Sequence, residues 1–257
     1  MYKGEIIEIK QESINAKVFK IKVENFNYLP GQFIKIHFNK EDVIKYAKER
    51  LERKEINEEI FKRICERANK TFREYSITNP PGDNYIEILV GRNNEGGFSP
   101  FFCDNAKVGD SVIFTGPFGK FVIDENDKNI LFLAGGTGIA PFICHLRYLN
   151  KTQKINEGKY VLIYSNRTFQ HICYKKELES IPNLKVYHTL TRLTEEEKKN
   201  WKGYSRAIDA EMIKEVLMEN NMMSDETRFY ICGSVEFVCS MISIIKSLGF
   251  KRENIKI

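Results

Sequence analysis

ILFLAGGTGIAPF, Ile130 to Phe142, is the stretch whose reading decides the fold. An apolar run from Ile130 to Ala134 meets Gly135, Gly136 and Gly138, and a second apolar segment with helical spacing begins behind Pro141. The order reads strand, glycine turn, helix. A helix start offers free N–H groups and a partial positive charge, and glycine lets a phosphate approach the backbone. The match to a dinucleotide fingerprint is incomplete, because Pro141 stands where a third glycine belongs. Proline suits a first helical turn but not the close helix–strand packing that the third glycine provides. The acid expected about 20 residues later to hold a ribose is doubtful too. The next strand ends YSNRT, offering Arg167, which hints at a 2′-phosphate. The alternative is a tight turn that is glycine-rich for no ligand's sake.

Around this stretch the second half alternates strand and helix. NILFLAG, KYVLIYS, LKVYHTL and TRFYICG read as short buried strands, with helical segments HLRYLNK, CYKKELES, DAEMIKEVLMEN and EFVCSMISIIKSLG between and after them. Such alternation implies a mostly parallel α/β sheet with right-handed crossovers. Up to about Phe121 the pattern differs. KGEIIEIKQ, AKVFKIKVE, GQFIKIHF, EYSITN, NYIEILVGR and DSVIFTGP alternate or run apolar between turn residues. Six such strands suggest a small antiparallel barrel. The expected domains are 1–123 and 124–257, joined at the charged FVIDENDKN segment.

One piece fits neither pattern. Asn39 to Lys70 interrupts the barrel with charges of both signs. Its apolar residues fall at helical spacing: Ile44, Ala47 and Leu51, then Ile56, Ile60 and Ile64 with Phe61 and Ala68. That predicts two amphipathic helices.

Composition excludes several classes. The 257 residues are 42% hydrophobic and 29% charged, as in water-soluble globular domains. No apolar run approaches the roughly 18 residues of a membrane span. The start, MYKGEIIEIK, lacks the basic and apolar regions of a signal peptide, so the cytoplasm is the expected compartment. A net charge of +5 without a dense basic block argues against nucleic acid and suits anionic cofactors or an acidic protein partner. Cys65, Cys103, Cys144, Cys173, Cys232 and Cys239 form no C-x-x-C pair, and His37, His145, His171 and His188 show no i,i+3 or i,i+4 pairing. No metal site is expected.

The first half holds a second candidate site. In TFREYSITNPPG, Arg73 and Tyr75 share one face of a strand, placing a cation beside an aromatic platform. NNEGGFSPFF then supplies Gly96, Gly97 and Ser99, a loop able to offer backbone N–H groups and a hydroxyl to a phosphate. The bland readings are an exposed strand face and an ordinary loop. Together the features suggest a second nucleotide-like ligand.

Taken in order, Arg73-Glu74-Tyr75-Ser76, GGFS at Gly96 to Ser99, GPFGKF at Gly116 to Phe121, GGTGIAP at Gly135 to Pro141 and YICGS at Tyr230 to Ser234 resemble the ferredoxin–NADP reductase superfamily. The resemblance implies a six-stranded Greek-key FAD barrel with a helical insertion, followed by an NAD(P)-binding α/β domain. It implies that Arg73 pairs with the FAD pyrophosphate, that Tyr75 stacks on the flavin ring and that the Ser76 hydroxyl bonds flavin N5. Gly96, Gly97, Phe98 and Ser99 would cradle the pyrophosphate, with Val90 as a further cofactor contact. Gly136, Thr137 and Gly138 would hold the pyrophosphate of NAD(P)H, with Cys232 and Gly233 beside the nicotinamide. Tyr75, Ser76 and Cys232 are thus the candidate catalytic residues. The buried core is the alternative place for Cys232.

The implied activity is hydride transfer between NAD(P)H and FAD, with electrons passed to ferredoxin or flavodoxin. Alternatives are an oxygenase reductase, a free-flavin or quinone reductase, or an electron-transfer subunit of a larger complex. Arg167, Arg192 and Arg206 are the cations that would favour NADPH over NADH. Two departures from the family stand out. The chain stops at ENIKI, so the aromatic tail and tail carboxylate of many members are not expected. The 39–70 segment is extra, and reads as a solvated hairpin, a lid over the FAD adenosine, or a docking surface for the electron acceptor or a second subunit.

Overall fold

The computed structural model describes residues 1–124 and 126–257; Glu125, within the expected linker, lies outside them. The chain divides into two compact units, Met1–Gly119 and Lys120–Ile257. The division falls within a few residues of the boundary expected after Ile123. Phe121 is part of the second unit, where its ring packs on Phe142 at 5.7 Å and Tyr230 at 5.6 Å.

The first unit runs β1 (Tyr2–Ser13), β2 (Ala16–Lys22), β3 (Phe33–His37), α1 (Lys40–Glu52), α2 (Glu58–Arg67), β4 (Phe72–Ser76), β5 (Tyr85–Gly91), α3 (Phe98–Asn105) and β6 (Ser111–Phe118). The strands form one antiparallel sheet in the order β4-β3-β6-β1-β2-β5, and a bridge between Ile77 and Ile88 closes it into a barrel. Period-two alternation sends Ile6, Phe19, Ile21, Ile34, Ile36, Ile88 and Phe114 into the core. In IIEIK the adjacent Ile6 and Ile7 cannot both point inward. A register shift between Ile6 and Glu8 accommodates them, leaving Ile7 exposed.

The charged segment between β3 and β4 is the helix pair α1 and α2. Asn39 caps α1 by accepting from the Glu41 N–H, and Asn57 caps α2 by accepting from the Ile60 N–H at 2.9 Å. Acids fill both first turns and Arg50 and Arg67 the last turns, matching the helix dipoles. The buried stripe of α1 is Val43, Tyr46, Ala47 and Arg50, not Ile44 with Leu51, which are half-buried. Counting apolar residues alone missed this face, because two of its members, Tyr46 and Arg50, are polar side chains that bond to Asp104 and to the turn after β5. Helix α3 was also unexpected. Its Phe98 and Phe102 stack at 5.3 Å, and Phe102 lies 4.6 Å from Phe19. Tertiary aromatic packing, not local propensity, holds it.

The second unit runs β7 (Asn129–Gly135), α4 (Ala140–Lys151), β8 (Lys159–Asn166), α5 (Lys175–Ser180), β9 (Leu184–Leu190), α6 (Glu195–Asn200), α7 (Ala210–Glu219), β10 (Thr227–Cys232), α8 (Val235–Ser247) and β11 (Ile255–Lys256). Its parallel sheet has the order β11-β10-β7-β8-β9. Central β7 is covered on both faces. Leu131 and Leu133 pack in the cluster formed with Met212, Val216 and Ile245 of α7 and α8, while Phe132 meets Phe142 of α4 at 5.1 Å. This explains why ILFLA shows no alternation. Among the described residues no helix is long and apolar enough to cross a membrane.

Two histidines are buried in this unit. His145 is 2% exposed with Nε2 3.0 Å from the Phe121 carbonyl, and His188 lies under Trp201. Burial pushes both imidazoles down to about 4. In the unfolded chain they protonate near 6.5, so below that pH the unfolded state binds protons that the folded state refuses. Their contribution to stability is therefore full above about pH 6.5 and declines as pH falls toward 4. Urea unfolding of the second unit should show a slope of up to about 1.4 kcal/mol per pH unit for each histidine in that window. His145→Gln should remove one proton from the slope.

Candidate functional site

In the first unit, the turn after β5 leads directly into α3. The Gly96 N–H bonds the Asn93 carbonyl at 2.8 Å, and the Glu95 N–H bonds Asn93 Oδ1 at 3.1 Å. Helix α3 starts behind Gly97 with no side-chain cap, and Pro100 has no N–H. The N–H groups of Gly97, Phe98 and Ser99 therefore have no partner among the described hydrogen bonds. The Ser99 hydroxyl accepts only a long bond from the Asn93 N–H, 3.4 Å. Three adjacent free amides and a hydroxyl form a donor set suited to a pyrophosphate. Phe98 itself is buried, stacked on Phe38 at 4.4 Å, so only its amide is available. Val90 is fully buried in the barrel wall, and its side chain packs the core instead of lining this turn.

Strand β4 carries Arg73 opposite Ile36, Tyr75 opposite Ile34 and Ser76 opposite Phe33. Tyr75 is half-buried, 6.3 Å from the Phe98 ring, and burial pushes its phenol above the ordinary range. It offers a neutral aromatic surface next to α3. Ser76 Oγ has no partner among the described hydrogen bonds. Arg73 is differently placed than the motif alone implies. Its Nη1 donates to the Lys70 and Phe72 carbonyls, both at 2.7 Å, and Nη2 to the Arg67 carbonyl at 3.1 Å. The Arg67 and Lys70 carbonyls lie at the end of α2, so the guanidinium caps that helix and keeps its Nε–H and one Nη2 proton for another acceptor. Burial lowers its pKa, though a guanidinium stays charged.

In the second unit, the turn after β7 lies against the end of β10. Cys232 pairs in register with Ala134. A Cβ on Gly138 would lie 2.3 Å from the Cys232 carbonyl oxygen, so only glycine fits. Gly136 instead needs glycine for its φ of +54°, with open space around it. A Cβ on Gly233 would meet the Phe237 ring at 2.7 Å. Gly136, Thr137, Gly138, Cys232 and Gly233 thus meet where β7 and β10 end. The helix following this turn has no side-chain cap. Tyr164, which the sequence reading passed over, donates its buried hydroxyl to the Gly136 carbonyl at 3.0 Å. Its signal was weak: one of two tyrosines in a strand with an aliphatic centre. Burial pushes the Cys232 thiol up to about 11, so at neutral pH it is a protonated thiol and not a nucleophilic thiolate.

Two of the three candidate cations come together. The Arg192 N–H bonds the Arg167 carbonyl at 2.8 Å, both side chains are exposed, and both depress the nearby His171, whose own burial is the larger cause. Arg206 is committed elsewhere. It pairs with Asp209 at 2.7 Å and Glu211 at 3.4 Å and lies over the Tyr204 ring. Among the described residues no group of His, Cys, Asp and Glu is arranged to hold a metal.

Comparisons with known proteins identify a cofactor-binding domain family in each unit. Residues 55–123 match the oxidoreductase FAD-binding domain family, and residues 132–242 the oxidoreductase NAD-binding domain family. The chain therefore carries FAD- and NAD(P)-binding domains. It is similar to the Na(+)-translocating NADH-quinone reductase subunit named F of Klebsiella pneumoniae subsp. pneumoniae, 28% identical over 213 residues, covering 76% of this chain and 50% of that protein. The Yersinia pseudotuberculosis serotype I protein of the same name is 26% identical over an alignment of 277 residues, 98% of this chain and 65% of the relative. The chain spans about half the length of most of the curated relatives it matches. A ferredoxin NADP+ reductase from Neisseria gonorrhoeae, solved with bound FAD and NADP, superposes with a TM-score of 0.75 at 20% identity, covering 99% of this chain and 96% of that one. That likeness shows the shared fold.

The two turn glycines should respond differently to alanine. Gly136→Ala meets open space and costs only the left-handed backbone, about 1–2 kcal/mol. Gly138→Ala must move the β10 backbone and should cost well above that. Urea midpoints of the second unit give the order; equal losses would mean that the close approach of β7 and β10 is relaxed in solution.

Proposed function

This chain belongs to the ferredoxin–NADP reductase superfamily, and from that membership we propose that it is the NAD(P)H-oxidising flavin module of a larger electron-transfer assembly. The observation that carries the redox reading is the glycine turn at a helix start without a side-chain cap in each unit, each inside a matched cofactor-binding domain. Support for the assembly comes from relatives that align along up to 98% of this chain and are themselves named as subunits.

Bound FAD would supply the acceptor for a hydride from NAD(P)H and the means of releasing electrons singly. The chain's own residues bind and orient. The amides of Gly97, Phe98 and Ser99 hold the FAD pyrophosphate beside Gly96, and Arg73 adds its two remaining donors. Tyr75 would stack on the flavin ring and Ser76 would donate its hydroxyl to the flavin edge, while Val90, packed in the core, is no cofactor contact. Gly136, Thr137 and Gly138 would hold the NAD(P)H pyrophosphate, with Cys232 and Gly233 as the residues beside the nicotinamide. The Cys232 thiol acts by shape and as a weak donor, in keeping with its raised pKa. Arg167 and Arg192 are the free cations for a 2′-phosphate, which supports NADPH as donor. Arg206, neutralised by two acids, sits outside that pair. The six cysteines are free, as in a reducing cytoplasm, where NAD(P)H is available.

A second reading is a stand-alone reductase of ferredoxin or flavodoxin, favoured by the net charge of +5, which suits an acidic protein acceptor. Rates of NADPH and NADH oxidation with ferredoxin, flavodoxin, free flavin and a soluble quinone separate the readings. The module reading expects turnover with small artificial acceptors and slow transfer to ferredoxin and flavodoxin. Fast turnover with either protein would replace it by the second reading, and a colourless protein that binds no flavin would sink both.

Two sets of substitutions test the residue roles. Tyr75→Ala should weaken FAD binding through loss of a stack worth about 0.5–1.5 kcal/mol beyond its area. Arg167→Ala and Arg192→Ala should each lower kcat/KM for NADPH more than for NADH, while Arg206→Ala should leave the ratio unchanged. An unchanged ratio in the first two would remove the case for 2′-phosphate recognition.

A further inference from the structure

Arg50 is among the largest fully buried side chains, 2% exposed, on the inward stripe of α1. A guanidinium stays charged, so burying it costs several kcal/mol unless its donors are met. They are met by the pyrophosphate turn itself. Nη2 donates to the Asn94 carbonyl at 2.6 Å, Nη1 to the Gly96 carbonyl at 3.2 Å, and Nε lies 3.3 Å from Glu55 Oε2.

The consequence follows from peptide geometry. In a planar trans peptide the C=O and N–H point in opposite directions. Drawing the Gly96 carbonyl toward α1 turns the Gly97 N–H away from α1, to join the free amides of Phe98 and Ser99. The helix pair closes on the turn in other places too. Ile64 and Val43 pack so tightly on Gly97 that a Cβ there would lie 2.7 Å and 3.1 Å from them. Arg63 pairs with Glu95 at 2.7 Å. Tyr46 donates to Asp104 of α3, which receives a forked pair from Arg92 at 2.9 Å and 2.8 Å.

We propose that Arg50 is a positioning residue for FAD: it orients the Asn94–Gly97 turn so that the turn's amides face the pyrophosphate, making the 39–70 helix pair part of the cradle. This rests on the FAD reading above. In place of a detachable lid or a docking surface, the insertion supplies the fixed back wall of the anion site.

The test compares FAD with riboflavin, which carries the same ring and no phosphate, by titrating apoprotein and following flavin fluorescence. Arg50→Lys keeps the charge, but one ammonium cannot span both carbonyls. FAD affinity should fall about tenfold or more while riboflavin affinity and the far-UV circular dichroism stay at wild-type values. Glu55→Gln, at a half-exposed partner, should weaken FAD by roughly two- to threefold in the same direction, and it decides the matter should Arg50→Lys fail to fold. Equal losses for FAD and riboflavin, or no loss for either, would overturn the proposal. Wild-type apoprotein that binds no FAD would instead overturn the FAD reading on which it rests.

Discussion

In each unit a side chain from elsewhere in that unit holds carbonyls of the glycine turn, and this constraint fixes how the turn is oriented. Glycine cannot provide the restraint, since it is the residue with the widest choice of backbone conformations. In the second unit the neutral phenol of Tyr164 holds the Gly136 carbonyl from within the sheet. In the first unit the charged fork of Arg50 holds the Asn94 and Gly96 carbonyls from an inserted helix. A phenol is cheap to bury once it has one partner. A guanidinium needs several, and the turn's carbonyls are what make its burial tolerable.

The inserted helices and the barrel exchange arginines. Arg50 leaves α1 for the turn beyond β5, and Arg73 leaves β4 for the carbonyls that end α2. Each cation satisfies backbone acceptors that the helix and the turn leave open. Arg50 ties the helix pair to the turn, and Arg73 ties it to β4. This reciprocity is why a segment that reads as a surface excursion is bound into the barrel. It also gives Arg73 a helix-capping duty that the strand motif did not imply.

Much of this was legible before any coordinates. Period-two alternation located six barrel strands, and unbroken apolar runs located the parallel strands, because burial on one face or both leaves that imprint. The caps went unread: Asn39 and Asn57 start α1 and α2, and Thr194 with Glu197 forms the capping box that starts α6. Other features left no local trace. Helix α3 contains Pro100 and a cluster of aromatics, and exists because Phe98 and Phe102 dock on the barrel. Arg206 differs from Arg167 and Arg192 because acids three and five residues on pair with it. Arg50 was counted among the surface charges of an amphipathic helix, although an arginine at i+7 from Val43, on the stripe of Ala47, was the available signal.

By itself, then, the sequence determined the two-domain architecture and the position of both glycine turns, since these depend on side-chain periodicity and on residues with special backbone freedom, which are properties of neighbours along the chain. Only the tertiary structure decided which way each turn faces and which charges remain available to a ligand. A carbonyl's orientation is set by the donor that reaches it, and Arg50 and Tyr164 reach theirs from 46 and 28 positions away in the chain. No pattern of neighbours encodes a bond made at that separation.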